Sequence, residues 1–239
     1  MTLNLLRPSC VRSLLFCLLL TAATSNAKAQ TSQSQETPLQ RQLDRIDLGV
    51  VAVGVINKDS NGIAPVASNP GSGTGSGTIP THVNLSPSNT AGAVVTFRYT
   101  IKPYVGFEFN YAYARYTQNF TPFGTQPTGG VQQNASEYTL GYVVHSRKQY
   151  HGITPFLSGG AGTTVFRPTP GGGLALPEQA RATYYFSIGA ETNIWSPHFG
   201  IRAQYRQVFF KAPDFHTNYL TIQQHTTTYE PGFGFFLRF

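Results

Sequence analysis

Cysteine is nearly missing from this 239-residue chain: the two present, Cys10 and Cys17, both fall within the first 17 residues. Charge is scarce too, at 11% of residues, where an ordinary soluble domain carries about 25%. Beyond the first twenty residues no apolar run approaches the ~18–20 residues of a membrane helix. With a mean hydropathy of −0.17, this excludes a helical membrane protein. Clusters of Lys and Arg with interleaved aromatics are also lacking, so nucleic acid finds no support as a partner. What is abundant is Gly (24), Phe (17) and Tyr (13), and the aromatics, together with the threonines, favour strands. So many aromatics argue against disorder. One all-β body remains, either soluble or standing in a bilayer as a barrel.

Residues 1–29 read as a secretory signal peptide. Arg7 and Arg12 form a basic start, Ser13 to Leu20 a short apolar core, and Ala27-Lys28-Ala29 a cleavage site read at Ala27 and Ala29. Both cysteines leave with this segment, so the exported chain relies on no disulfide or thiolate. Leu15-Phe16 before Cys17 disfavours lipidation. Processing leaves 14 basic and 10 acidic residues, a net charge of +4. Residues 30–45, rich in Gln, Ser and Thr, read as a flexible polar leader.

Residues 46–239 carry eight strand candidates: 46–57, 90–101, 104–117, 135–145, 153–166, 181–192, 199–211 and 227–239. Their connections alternate. The segments 58–89, 118–134, 167–180 and 212–226 are long, whereas Lys102-Pro103, Ser146–Gly152 and Asn193–His198 are short. The Gly-rich stretch Asn69–Gly77 reads as a flexible tip of the first long loop. An up-and-down membrane barrel has short turns at one end, long loops at the other and an even strand count. A soluble sandwich has no reason to alternate so.

Parity within the strands separates the two cases. Val95, Phe97, Tyr99 and Ile101 share one face against Thr96, Arg98 and Thr100. Phe107, Phe109, Tyr111 and Tyr113 oppose Glu108, Asn110 and Ala112. Tyr138, Leu140 and Tyr142 oppose Glu137 and Thr139, while Tyr184, Phe186 and Ile188 oppose Ser187 and Glu191. Ile201, Ala203 and Tyr205 oppose Arg202, Gln204 and Arg206. A charge facing lipid at mid-depth costs about 2–4 kcal/mol, which gives the segregation a physical cause. The expected lumen network is Asp47, Glu108, Glu137, Glu191 and Glu230 facing Arg98, Arg202, Arg206 and Arg238. Five acids and four arginines make a poor soluble core, so the parity predicts an eight-stranded antiparallel up-and-down transmembrane β-barrel. The strand 46–57 is apolar on both faces, Gly159–Gly162 predicts close packing or a bulge, and Pro231 predicts a bulge.

The chain ends Phe233-Gly-Phe-Phe-Leu-Arg-Phe239, with Phe233, Phe235, Leu237 and Phe239 on one face. This ending resembles the C-terminal signal read by the outer-membrane assembly machinery of Gram-negative bacteria. With the signal peptide and eight strands, the mature chain resembles the small OmpA/OmpX-like outer-membrane barrels. The resemblance implies an outer-membrane location with both termini periplasmic, and the barrel-assembly machinery, outer-membrane lipid and lipopolysaccharide as partners. OmpA itself continues into a peptidoglycan-binding domain that has no counterpart here; no such domain is expected.

Chemistry finds little foothold. Histidine and cysteine spacings of metal sites do not occur, and neither a catalytic residue nor a cofactor or metal site is expected. Asp214, His216 and His225 share the last long loop, and His145-Ser146 is the one adjacent His/Ser pair, but neighbours in sequence are poorly placed to act as base and nucleophile. The expected function is a non-enzymatic barrel with an envelope-structural or surface-interaction role, its loops meeting an extracellular ligand that the sequence does not identify. The alternatives are a narrow passive pore and a lipid A-modifying enzyme.

Overall fold

The computed structural model describes residues 37–67, 78–122, 129–216 and 221–239. The proposed signal peptide with Ala27 and Ala29, the start of the leader and the Asn69–Gly77 tip lie outside these residues. A short helix α1 (Pro38–Leu43) precedes ten strands. They are β1 (Ile46–Asn57), β2 (Ser60–Ala67), β3 (Thr78–Pro87), β4 (Thr90–Lys102), β5 (Val105–Pro122), β6 (Gly129–His145), β7 (Ile153–Pro168), β8 (Gln179–Ser196), β9 (Phe199–Lys211) and β10 (His225–Arg238). Eight of them, β1 and β4–β10, close into an antiparallel barrel: β1 pairs with both β4 and β10, and β5 with β6. The first strand therefore meets the last, and no edge is left in the wall.

The barrel has its polarity inverted. Arg98, Arg202 and Arg206 are among the largest fully buried side chains, while Leu140 is 61% and Phe233 53% exposed. Val95, Phe97, Phe107, Phe109, Tyr142, Leu157, Phe186 and Ile188 continue the exposed apolar belt. Such a surface is stable only against hydrocarbon. On β4, β6 and β9, burial alternates residue by residue over the middle of the strand, as the sequence parity requires.

Three features depart from the sequence expectation. The long connection 58–89 folds as the β2–β3 hairpin, and β3 pairs with the end of β5 through Val83↔Pro122 to Pro87↔Gln118. The expected connection 118–134 shrinks to 123–128, because β5 and β6 stay paired as far as Phe120↔Gly129. Pro231 causes no bulge: β10 keeps one register with β9 throughout, and only the pairs opposite Gly54 and Val55 drop out on the β1 side. A proline without an N–H removes a bond without needing an extra residue. At Gly159–Gly162 the packing alternative holds. A Cβ on Gly160 or Gly162 would run into the carbonyl oxygens of Leu140 and Tyr138 across the β6–β7 ladder. Residues 38–43 of the leader are helical.

Candidate functional site: a stoppered lumen

Every lumen charge expected from parity has a partner in the structure. Nearest the short-turn end, Arg98 Nε donates to Glu108 at 2.6 Å and its Nη1 to Glu191 at 3.2 Å. Arg202 Nη2 donates to Asp47 at 2.9 Å and to Glu191 at 3.1 Å. Arg238, more open, reaches Glu191 at 3.1 Å and Asp47 at 3.6 Å. Glu191 is thus the hub of three arginines, with His145 Nε2 3.3 Å away. Three acids balance three arginines in this layer, which is the condition for holding charges out of water.

Groups that sequence reasoning did not single out complete the layer. Glu108 accepts from Asn110 at 2.9 Å, Ser158 at 3.0 Å and Tyr185 Oη at 3.1 Å. The Phe156 ring lies 4.2 Å from the Arg98 guanidinium, and Phe236 lies 5.1 Å from that of Arg202. Delocalised guanidinium faces stack on rings in a way a lysine could not. The signal for these residues was their inward parity. Tyr185 stands out only by sitting between the outward Tyr184 and Phe186.

A second layer lies toward the long-loop end. Arg206 is held by Glu137 and by Glu230 at 2.7 Å, with the Tyr185 ring 4.7 Å below its guanidinium. One arginine here serves two carboxylates. Above it the lumen turns apolar: Val53, Val55, Ala112, Ala114, Val208 and Phe210 face inward around a void of about 30 Å³. This explains why β1 is apolar on both faces: its outward residues meet lipid and its inward ones meet this core.

The loop end is capped. Ala64 of β2, Val83 and Leu85 of β3, and Phe215 and Ile222 of the last connection join the same buried cluster. Phe215 is 1% exposed although its φ of 48° lies in the left-handed region, and His216 follows at 58°. Such a backbone costs of order 1–3 kcal/mol and persists only where its surroundings hold it. A latch does so. The Gln179 side-chain oxygen accepts the N–H groups of Asp214 (2.9 Å) and Phe215 (3.0 Å). The Gln179 amide donates to Asp214 Oδ1 at 2.7 Å, and Arg181 pairs with Asp214 at 2.8 Å. Burial raises the Asp214 carboxyl, yet these bonds, the His216 N–H and the Arg181 charge hold it below its ordinary value.

The chemical candidates are otherwise engaged. Ser146 Oγ accepts the Lys148 N–H at 3.2 Å as a turn cap, while His145 faces Glu191. Asp214 accepts the His216 N–H, and His225 begins β10 on the surface. Among the described residues no three His, Cys, Asp or Glu side chains are grouped to hold a metal. At the short-turn mouth an open basin of about 380 Å³ is lined by Arg45, Tyr104, His145, Arg147, Glu191 and Arg238, among others. The C-terminal residues Phe233, Phe235, Leu237 and Phe239 all point outward, and the Phe239 N–H donates to Ile46 at 3.2 Å.

No family model matches the sequence, and no curated protein matches it by sequence. Solved structures do match the fold. The outer membrane protein OprG from Pseudomonas aeruginosa aligns with a TM-score of 0.53 at 14% identity, over 81% of this chain and 95% of that one. Neisserial surface protein A aligns with a TM-score of 0.50 at 13% identity, over 81% and 97%.

Proposed function

With the fold of the small eight-stranded outer-membrane barrels as premise, we propose that this chain is a non-enzymatic outer-membrane protein of Gram-negative type. In this reading its lumen is closed to solutes and its long-loop end is a rigid surface for interaction or envelope support. The observation that carries the reading is the stack inside the barrel: a balanced ion-pair layer, the Arg206 layer, an apolar core and a latched aromatic cap. Eight strands leave room only for side chains, and here side chains fill it. The short-turn end and both termini face the periplasm, and the loops with their β2–β3 hairpin face outward to an extracellular ligand and to lipopolysaccharide. The outward row Phe233, Phe235, Leu237 and Phe239 is the surface offered to the assembly machinery.

Planar-bilayer conductance of the refolded mature chain tests the closed lumen, with folding first verified by the heat-dependent gel shift. Silence is expected. A steady, reproducible current would overturn the reading in favour of a narrow pore, with Arg98, Arg202, Arg206 and Glu108 as its selectivity residues. Lipid A of unchanged mass is expected from a strain overproducing the protein. A changed mass would replace the surface role with an enzymatic one.

A further inference from the structure

Exposed cations crowd one side of the short-turn end. Arg41 and Arg45 belong to α1 and its exit, Lys102 ends β4, and Arg147 and Lys148 lie in the β6–β7 turn. Asp44 is the one exposed side-chain carboxylate at this end among the described residues. Also among the described residues, Arg45, Lys102, Arg147 and Lys148 enter no ion pair. At the other end Arg167 pairs with Glu178 and Arg181 with Asp214, while among the described residues Lys58 stands exposed there without an ion pair. The turn between β8 and β9, within residues 193–198, holds no lysine or arginine at all.

Two contacts tie the cationic side together. The His145 N–H donates to the Tyr104 carbonyl at 2.8 Å, and the Arg147 guanidinium sits 5.1 Å from the Tyr104 ring. This fastens the β4–β5 turn to the β6–β7 turn. The helix α1 adds a second kind of surface. Leu39 is 71% and Leu43 42% exposed, one turn apart on the helix. Tyr99 Oη donates to Gln42 at 2.6 Å, and Arg45 accepts the Thr100 N–H at 2.8 Å. These bonds hold α1 beside the outward face of β4, where Phe97 and Ile101 meet lipid. Exposed leucines next to unpaired cations at the rim of an apolar belt have the make-up of an element lying in a membrane interface.

We propose that this side of the barrel is an anionic-phospholipid surface. Leu39 and Leu43 enter the acyl border, and Arg45, Lys102, Arg147 and Lys148 hold the lipid phosphates, selecting anionic over zwitterionic headgroups. The complement to four unpaired cations beside apolar side chains is a phosphate attached to acyl chains. A free anion would satisfy the cations and leave the leucines in water. The inference draws on the outer-membrane reading only for the leaflet that supplies the lipid.

Native mass spectrometry of the folded mature chain, titrated separately with phosphatidylglycerol, phosphatidylcholine and inorganic phosphate, provides the test. A basic side chain at an anionic lipid surface raises affinity about fivefold, so phosphatidylglycerol should be retained well beyond tenfold over phosphatidylcholine. The pair Arg147→Gln and Lys148→Gln should lower that preference by about 25-fold if the two add. Leu39→Ser with Leu43→Ser should weaken both lipids alike. Should the first pair fail the gel-shift check of folding, Arg45→Gln with Lys102→Gln makes the same test. Equal retention of the two lipids would overturn the proposal, as would a preference that survives loss of all four cations. Displacement of phosphatidylglycerol by inorganic phosphate would overturn the lipid assignment in favour of a free anion. None of these outcomes bears on whether the lumen conducts.

Discussion

Arg206→Leu is expected to be the costliest single change in the lumen. Arg206 is 1% exposed and, among the described residues, is the only cation in an ion pair with Glu137 and Glu230, both themselves buried. The nearest arginine along β9, Arg202, is already committed to Asp47 and Glu191. Removing one partner of a buried ion pair costs about 3–5 kcal/mol, because the other charge stays out of water. Here two carboxylates are stranded together, which places the expected loss near the upper figure, about 5 kcal/mol. That is more than about a thousandfold in the unfolding equilibrium. The triple variant Arg206→Leu, Glu137→Leu, Glu230→Leu removes all three charges beside an already apolar core. It should lie within about 2 kcal/mol of the native barrel, since apolar replacement of a whole buried network is often neutral or better. Equilibrium urea unfolding in lipid vesicles, followed by the single tryptophan Trp195 and by the gel shift, measures both. A single variant no less stable than the triple would refute the reasoning and mean that water reaches and screens the layer.

Glu191→Gln should cost less than Arg206→Leu, because Arg98 keeps Glu108 and Arg202 keeps Asp47; the same unfolding curves rank the two. Gly141→Ala should destabilise the barrel by about 1–3 kcal/mol, since its Cβ would lie 2.6 Å from Tyr185 Oη and against the Gly159 carbonyl. Slower folding with an unchanged final gel shift would be consistent with this, and a variant of native stability would count against the close approach. The Asp214 latch has a pH sign. Its folded carboxyl lies below the ordinary value of 3.8, so its contribution is complete above that value and fades only as pH falls through the lower one. Hydrogen exchange at the Phe215 N–H, corrected for intrinsic rate, should stay flat from neutral pH down to about 4. Acceleration beginning well above pH 4 would overturn the assignment of the latch to Asp214. Deleting Phe239 should leave refolding in vitro intact but reduce assembly in cells. Equal loss in both would make Phe239 a packing residue and not a recognition one.

The barrel was legible because two periodicities coincide in the sequence: alternation within strands and alternation of connection length. Arg98, Glu108, Glu191 and Arg202 could be assigned inward from parity alone, since mid-depth lipid tolerates no unpaired charge. Which acid meets which arginine was not legible, because pairing depends on the register around a closed cylinder. Glu191 sits opposite Arg202 on the next strand, yet also reaches Arg98 across the lumen. The β2–β3 hairpin was hidden by its composition. Ser, Asn, Gly and Pro in SNGIAPVA and TIPTHVNLSP dilute the strand signal, and alternation shows only in the second, at Ile79, Val83 and Leu85. The cap was hidden for a different reason. Phe215 and Ile222 stand in a segment of turn-like composition, and their burial depends on contacts far away in sequence, such as Ile222 against Gly62 of the hairpin.

The strand register also has a consequence for the route into the membrane. Arg98 lies directly opposite Glu108 on the β4–β5 hairpin, Glu191 opposite Arg202 on β8–β9, and Arg206 opposite Glu230 on β9–β10. Each of these three arginines therefore meets a counter-ion on the adjoining strand, before the cylinder exists. A hairpin entering lipid carries its arginine already neutralised and never has to present it bare to hydrocarbon. Asp47 lies opposite Arg98 on β4, yet the arginines it forms ion pairs with, Arg202 and Arg238, lie on the last two strands. Those two ion pairs need the first strand to have met the last, so they bridge the seam that marks a completed circle.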